Sequence, residues 1–395
     1  MDEDMKYIFL LSIISMNFFI VISTFLNEVL KINIYPYYFI TMVVIAAFTI
    51  LYAFVKIGMD KAIPVKLFYV LLLFLVVTVS YAISPYHNVK LATNNYLFFL
   101  LWSIPAAVCG VFAAKFTKKE IENFFKWIFC IFSISMVFII LVPFLLGKLP
   151  SYINFGLMNY QNLSYITAFV IGLGFYFILQ KSTKAKLFYI IMIILLIPVI
   201  LISSGRGGAV LLILYILLTS VKIMTDKQIS TLKKIILGGM ILLFIVMFLS
   251  LVFVIDKDSR IFSYISDEGI SLDQTSGRNF IYENDITIIK EHVWRGHGLF
   301  NYYHLINNIP HNIILEFLLI GGVFGCMIFL FLAGRLIVKY ASFFNKNSPD
   351  GIVGYIALYP LTMLMFSSNF LITSEFWFVV FYLFAKIKEK TYDEA

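Results

Sequence analysis

The sequence predicts an all-α, polytopic membrane protein, and three observations carry that prediction. The 395 residues are 61% hydrophobic and only 13% charged, against about 25% charged in water-soluble domains. Mean hydropathy is +0.94. Apolar runs of membrane-crossing length recur from end to end, and basic residues fall mainly in alternate connections between them. A net charge of +8 would suggest nucleic acid in a soluble chain. Here the cations sit between apolar runs, which excludes that partner.

A span needs about 20 mostly apolar residues, in a range of roughly 17–25. Twelve candidates satisfy that ruler, near 7–27, 36–55, 65–84, 96–114, 127–146, 163–180, 187–203, 208–224, 235–255, 311–334, 352–369 and 371–386. The run Tyr7 to Leu26 is too long for a signal-peptide core and lacks a following small-residue cleavage site, so it is expected to stay as a span. The last two candidates are the least secure, because only a short polar stretch separates their centres. The chain reads as one transmembrane domain over 1–395, without internal repeats or low-complexity segments.

An even number of spans puts both termini on one side. Connections on that side hold 21 of the 30 basic residues, and the opposite side holds nine. The positive-inside rule then places both termini in the cytoplasm and the connection 256–310 outside. That connection is the one long loop, between spans 9 and 10, and it holds eight acids against five bases. Within it, Ile286, Ile289 and Val293 recur at helical spacing over Tyr282–Trp294 and predict an amphipathic helix. Ser276 or Thr275 would cap that helix, Glu283 and Asp285 suit its first turns, and Gly296 would end it. Cys109, Cys130 and Cys326 stand singly in apolar runs and read as small hydrophobes rather than as a disulfide or metal framework.

Two places concentrate groups able to do chemistry. At Ser203-Ser204-Gly205-Arg206-Gly207-Gly208 an arginine sits in a tight joint between spans 7 and 8. Glycines there let backbone amides approach a ligand, the next helix offers its positive N-terminal end, and a guanidinium forks onto phosphate. The plainer reading is a turn whose arginine reaches lipid headgroups. The second place runs from Ser276 to Gly325. Arg278 opens the loop helix, and on local sequence alone it reads as a solvated arginine pairing with Glu283 or Asp285. Arg295 and His297 flank the glycines of Gly296-His297-Gly298, which set a turn aiming the loop back to the membrane. His311 follows Pro310 and is expected in the first turn of span 10, where a helix N-terminus keeps imidazole neutral and usable as a general base. Asn312 and Glu316, four apart, share a face, and Glu316 in apolar sequence requires a partner. His87, His292 and His304 read as interfacial anchors, and no histidine spacing suggests a metal.

The joint Ser-Gly-Arg-Gly-Gly, the Gly-Arg that opens a loop helix ending at Gly-His-Gly, and Pro-His-Asn-Ile-Ile-Leu-Glu followed by Gly-Gly-Val-Phe-Gly resemble the O-antigen polymerase and O-antigen ligase superfamily over about 155–330. The family's usual Ser-Arg-Gly joint is here Ser204-Gly205-Arg206-Gly207, which shifts the arginine by one residue. The resemblance implies metal-independent, inverting glycosyl transfer, without cofactor, from an undecaprenyl-pyrophosphate-linked glycan at the outer face of the bacterial inner membrane. It implies Arg206 and Arg278 as catalytic pyrophosphate ligands and His311 as the residue beside the acceptor hydroxyl, with Gly207, Arg295, His297, Asn312 and Glu316 as further substrate-binding candidates. The implied partners are the lipid-linked donor, the glycan acceptor, the bilayer, and chain-length regulator and flippase proteins. A polymerase of O-antigen or capsule repeat units is the first reading and a ligase to lipid A core or another acceptor the second. A lipid-linked sugar transporter is the reading from another class. It would show broken helices and ionisable groups at mid-membrane, whereas this sequence gathers its charges at the outer rim.

Overall fold

The computed structural model describes residues 3–150, 152–180, 185–225, 234, 238–239, 265–266, 269–270, 278–344 and 351–387. Helices dominate them. Nine are long and apolar enough to cross a membrane, namely α1 (Asp4–Glu28), α2 (Tyr35–Asp60), α3 (Val65–Ile83), α4 (Lys90–Ala113), α5 (Lys118–Leu145), α6 (Tyr160–Leu179), α7 (Lys186–Ser203), α8 (Arg206–Thr225) and a tenth-span helix whose candidate crossing is Ile313–Ala341. The loop contributes α9 (Arg278–Glu291) and α10 (Tyr302–Ile306), the tenth-span helix is α11 (Ile313–Phe344), and α12 (Gly351–Phe366) and α13 (Ser374–Ala385) follow. Eleven of the twelve sequence-predicted spans therefore fall on described helices. Of the ninth, 235–255, only residues 238–239 are described.

Two pairs of two-residue strands complete the described structure. β1 (Asn154–Phe155) pairs antiparallel with β2 (Met158–Asn159), and β3 (Ile265–Ser266) with β4 (Gly269–Ile270). The first hairpin explains the polar stretch before α6. Its last residue, Asn159, caps that helix by accepting from the amides of Gln161 and Asn162.

Burial follows the logic of a bilayer. α3 exposes Phe68, Leu72, Leu75 and Val79, a pattern stable only where hydrocarbon replaces water as the solvent. Prolines shape two spans. Each of α4 and α5 contains a π-helical turn, Phe99–Ser103 and Val137–Leu141, just before Pro105 and Pro143. A proline lacks the amide that would continue the regular ladder, and the wider turn absorbs the mismatch.

The chain forms two compact units. One gathers Met1–Met16, Phe39–Phe124 and Gly277–Ala395, the other Asn17–Tyr38 and Phe125–Ser276. In the first, α12 and α13 hold 16 and 12 residues, or about 24 and 18 Å of helix. The second of these is well short of a hydrocarbon core of about 30 Å. Between them, Ser368–Leu371 is buried without helical structure. Buried non-helical backbone is tolerated only when protein satisfies it, and it is satisfied here. Ser103 donates to the carbonyl of Leu371, Trp377 Nε1 donates to that of Phe370 at 2.7 Å, and Asn369 donates to Asn95 at 2.9 Å.

The tenth span departs most from expectation. α11 is interrupted at Gly322, whose backbone sits at φ 60°, ψ −157°. The Phe317 and Phe329 rings stack with centroids 4.0 Å apart. Twelve residues of straight helix would separate them by about 18 Å. The chain thus turns back at Gly322, and 313–321 is a separate short helix rather than the start of one straight crossing.

Candidate active site

The joint between α7 and α8 lies in the second unit. Ser204 adopts a left-handed conformation, φ 53°, and stops α7. The carbonyl of Gly205 accepts from Ala209, so α8 begins with Arg206 as its first residue. Arg206 is half-buried. The glycines around it serve packing. A side chain at Gly205 or Gly208 would strike Ser164, and one at Gly207 would strike the Tyr165 hydroxyl. Their small size seats the start of α8 against α6, where the sequence reading had their amides open to a ligand.

Arg278, Arg295, His297, His311, Asn312 and Glu316 all belong to the first unit, and Arg206 and Gly207 to the second. Arg278 is the first residue of α9. The expected caps Thr275 and Ser276 lie outside the described residues. α9 is already helical at Arg278, four residues before the expected Tyr282, and its buried side differs from the expected Ile286–Ile289–Val293 stripe. Ile286 and Val293 are 44% and 37% exposed, while Ile288 and Asp285 are 8% and 0% exposed. Hydropathy counting could not rank a carboxylate as the inward residue. Neither oxygen of Asp285 has a hydrogen-bond partner among the described residues, and burial pushes its carboxyl up to about 6.

Past α9, the chain docks against the break in α11. The amides of His297 and Gly298 donate to the carbonyls of Leu319 and Ile320 at 2.7 and 2.9 Å. In return the amide of Val323 donates to the carbonyl of Val293 at 2.8 Å, and that of Phe324 to Trp294 at 3.5 Å. A broken helix leaves carbonyls orphaned before the break and amides orphaned after it. Residues 293–298 satisfy both. So close an approach admits no Cβ: at Gly296 it would fall 2.6 Å from the Gly321 and Gly322 nitrogens. Gly296 and Gly298 also hold positive φ, 65° and 98°, which confirms the turn read from sequence. His297 Nε2 lies 2.9 Å from the Ile288 carbonyl. A carbonyl only accepts, so Nε2 carries the proton. Arg295 is exposed.

The loop returns through α10. Tyr302 and Tyr303 are fully buried, Ser84 donates to Asn301 at 2.6 Å, and the Tyr86 and His304 rings stack at 4.3 Å. Pro310 is buried, and His311 then takes φ 54°. The helix begins at Ile313 with Asn312 as its cap, the Asn312 side chain accepting from Ile314 and Leu315 at 2.9 and 3.2 Å. His311 therefore precedes the helix instead of lying in its first turn, because the asparagine after it is the better cap. Its Nδ1 is buried. Asn312 spends its side-chain oxygen on the cap. Glu316, 1% exposed, has the partner its position demanded: it accepts from the Tyr302 hydroxyl at 2.8 Å and from the Phe370 amide at 3.4 Å. Burial and the neighbouring Glu316 raise the Tyr302 hydroxyl well above its usual value, which keeps it a donor. Glu316 thus ties α10 to the buried loop after α12.

Sequence reasoning missed Asp285, the Tyr302–Glu316–Phe370 connection and the break at Gly322. The Gly321-Gly322 pair was the available signal for the break. Among the described residues no three His, Cys, Asp or Glu side chains form a metal-binding group. Arg206 occupies the first position of a helix, Arg278 is the first described residue of α9, and His311 lies two residues before a helix.

Residues 191–330 match the sequence model of a family described as O-antigen ligase. The match supports assignment to the O-antigen ligase and polymerase superfamily, and it contains Arg206, Gly207, Arg278, Arg295, His297, His311, Asn312 and Glu316. No curated protein and no solved structure matches the chain.

Proposed function

We propose, from the O-antigen ligase and polymerase assignment carried by 191–330, that the protein joins undecaprenyl-pyrophosphate-linked oligosaccharide repeat units of O-antigen or capsule at the extracytoplasmic face of the inner membrane. One observation supports the chemistry above others. Arg206 begins a helix, where a cation meets the positive end of the dipole at a cost of about 0.3–1 kcal/mol, and Arg278 is the first described residue of α9. An anion reverses that cost, since it takes helix amides and guanidinium together. Both residues are assigned as ligands of the donor pyrophosphate.

The acceptor hydroxyl oxygen bonds to the anomeric carbon as the bond from that carbon to phosphate breaks. The pyrophosphate leaves with the electron pair, the arginines stabilise its charge, and the hydroxyl proton passes to His311. Arg295 and His297, on the segment docked against α11, are assigned to the substrate side of the same loop, with Gly207, Asn312 and Glu316 acting through the packing, cap and tie described above. Chain-length regulator and flippase proteins are the proposed partners.

The second reading, a ligase to lipid A core or another acceptor, draws support from the description of the matching family. Transport is less well supported. At the break in α11, the carbonyls of Leu319 and Ile320 and the amides of Val323 and Phe324 are bonded by 293–298, whereas transporters leave such groups to coordinate substrate or ion.

The test is transfer by purified protein supplied with undecaprenyl-pyrophosphate oligosaccharide, with and without lipid A core. Ladders formed from donor alone mark the polymerase, and product only with lipid A core marks the ligase. His311→Ala is expected to bind donor but lose about 10²–10⁴-fold in rate. Arg206→Lys and Arg278→Lys are expected to lose product at normal protein levels, because an ammonium cannot fork onto two oxygens. EDTA is expected to leave the rate unchanged. Full turnover by His311→Ala, or abolition by EDTA, would overturn this mechanism.

A further inference from the structure

The inward face of α9 holds a group that the proposed reaction leaves without a task. Ile281, Asp285 and Ile288 recur at i, i+4 and i+7, so they share one face of the helix. Asp285 and Ile288 on that face are buried, while Glu283, Asn284, Thr287 and Lys290 on the other sides are exposed. α9 packs against α10 and α11. The His297 imidazole fastens its middle by donating to the Ile288 carbonyl at 2.9 Å.

Between two isoleucines on this face sits a carboxylate that is 0% exposed. Neither Asp285 oxygen is hydrogen-bonded among the described residues. An ionised carboxylate only accepts, and its two oxygens have room for several donors. Burying it without them costs free energy that an apolar side chain would not. A helix that had only to dock would be held better by leucine at this position. Burial alone pushes the carboxyl up to about 6, so at pH 7.5 it is mostly ionised and the cost is present.

Arg278 supplies the direction. It lies seven residues before Asp285 on the same helix, which is two turns, or about 10 Å along the axis. Seven residues also return a helix to nearly the same face. With the donor pyrophosphate at Arg278, the part of the glycan that comes next is the sugar ring attached to it. Neighbouring hydroxyls on such a ring are the donors that the two carboxylate oxygens lack.

We propose that Asp285 binds the first sugar of the lipid-linked donor, its two oxygens accepting from neighbouring hydroxyls of that ring. The inference rests on the glycosyl-transfer reading and adds a residue that recognises sugar rather than phosphate. Asp285 is closed to solvent, so the sugar reaches it as α9 lifts from α11 and settles again over the ring.

Equilibrium binding to the purified full-length protein at pH 7.5 separates the two contacts. The probes are undecaprenyl-pyrophosphate oligosaccharide isolated from the source cells and bare undecaprenyl pyrophosphate. Wild type is expected to bind the glycosylated probe more tightly. Asp285→Asn, which keeps the shape and loses the charge, is expected to weaken that binding roughly tenfold to a hundredfold. It is expected to leave the bare probe unaffected. Asp285→Ala, with a melting curve to establish that it folds, is expected to do the same. Equal binding of both probes by wild type overturns the proposal. So does unchanged binding of the glycosylated probe by Asp285→Asn, which would mark a purely structural carboxylate. An equal loss for both probes overturns it too, because it would mark a distorted Arg278 site. Failure of wild type to bind the bare probe would instead overturn the pyrophosphate reading itself, and this inference with it.

Discussion

Arg206 was legible in the sequence because an arginine among glycines between two apolar runs has few neighbours to explain it. The reason for the glycines was not legible. They accommodate Ser164 and Tyr165, residues more than forty positions earlier, and only the packing of α6 against α8 reveals it. Asp285 shows the same limit from the other side. Its sequence neighbours suggested a first-turn carboxylate, yet it is the most buried residue described in α9. Its raised pKa, about 6, has a definite sign for stability. Between the ordinary carboxylate range and about pH 6 the folded state holds a proton that the unfolded state has released. Stability therefore falls as pH rises through that window. Asp285→Asn removes the cost of the buried charge and is expected to raise the thermal midpoint at pH 7.5 while flattening its dependence between pH 4 and 6. The stabilisation is at most about 3 kcal/mol. A variant less stable than wild type at pH 7.5 would show that the carboxylate has a favourable ionic partner in the folded protein.

Among the elements, α11 was half visible. Its apolar run was read correctly as helical, but the helix starts at Ile313, after His311, and the run continues without interruption through Gly321-Gly322, so hydropathy reports one span where the chain makes two helices. What breaks it is distant: 293–298 supplies the hydrogen bonds that a continuous helix would have made for itself. The two neighbouring glycines make a sharp comparison. Gly322 has a backbone conformation reserved for glycine, and a Cβ there would strike Trp294 and Arg295 backbone. Gly321 would present its Cβ to open space. Gly322→Ala is expected to cost about 2–3 kcal/mol from backbone strain, with more from the collision, and to abolish transfer. Gly321→Ala is expected to behave as wild type. Comparable melting temperatures and activities for the two variants would mean that the loop does not grip the helix as described.

At the scale of the whole molecule, hydropathy located eleven apolar runs that fall on described helices, because polar connections separate them. The shortness of α13 was hidden, since Phe370, Leu371 and Ile372 extend its apolar run upstream while Ser368–Leu371 is buried without helical structure. Orientation rests on the charge distribution and has a direct check. Glu291→Cys, exposed in the loop, is expected to take an impermeant maleimide from outside intact cells, and Lys115→Cys only after permeabilisation; the reverse pattern would invert the topology. The reciprocal bonding between 293–298 and 319–324 also bears on time. Neither partner can keep its amides from water alone, so the two stretches must open in a single event rather than fray independently. In deuterium exchange, His297, Gly298, Val323 and Phe324 should lose protection with one common rate, and a donor lipid that steadies the loop should slow all four together, making these amides a reporter of occupancy that no spectroscopic label has to be added to read.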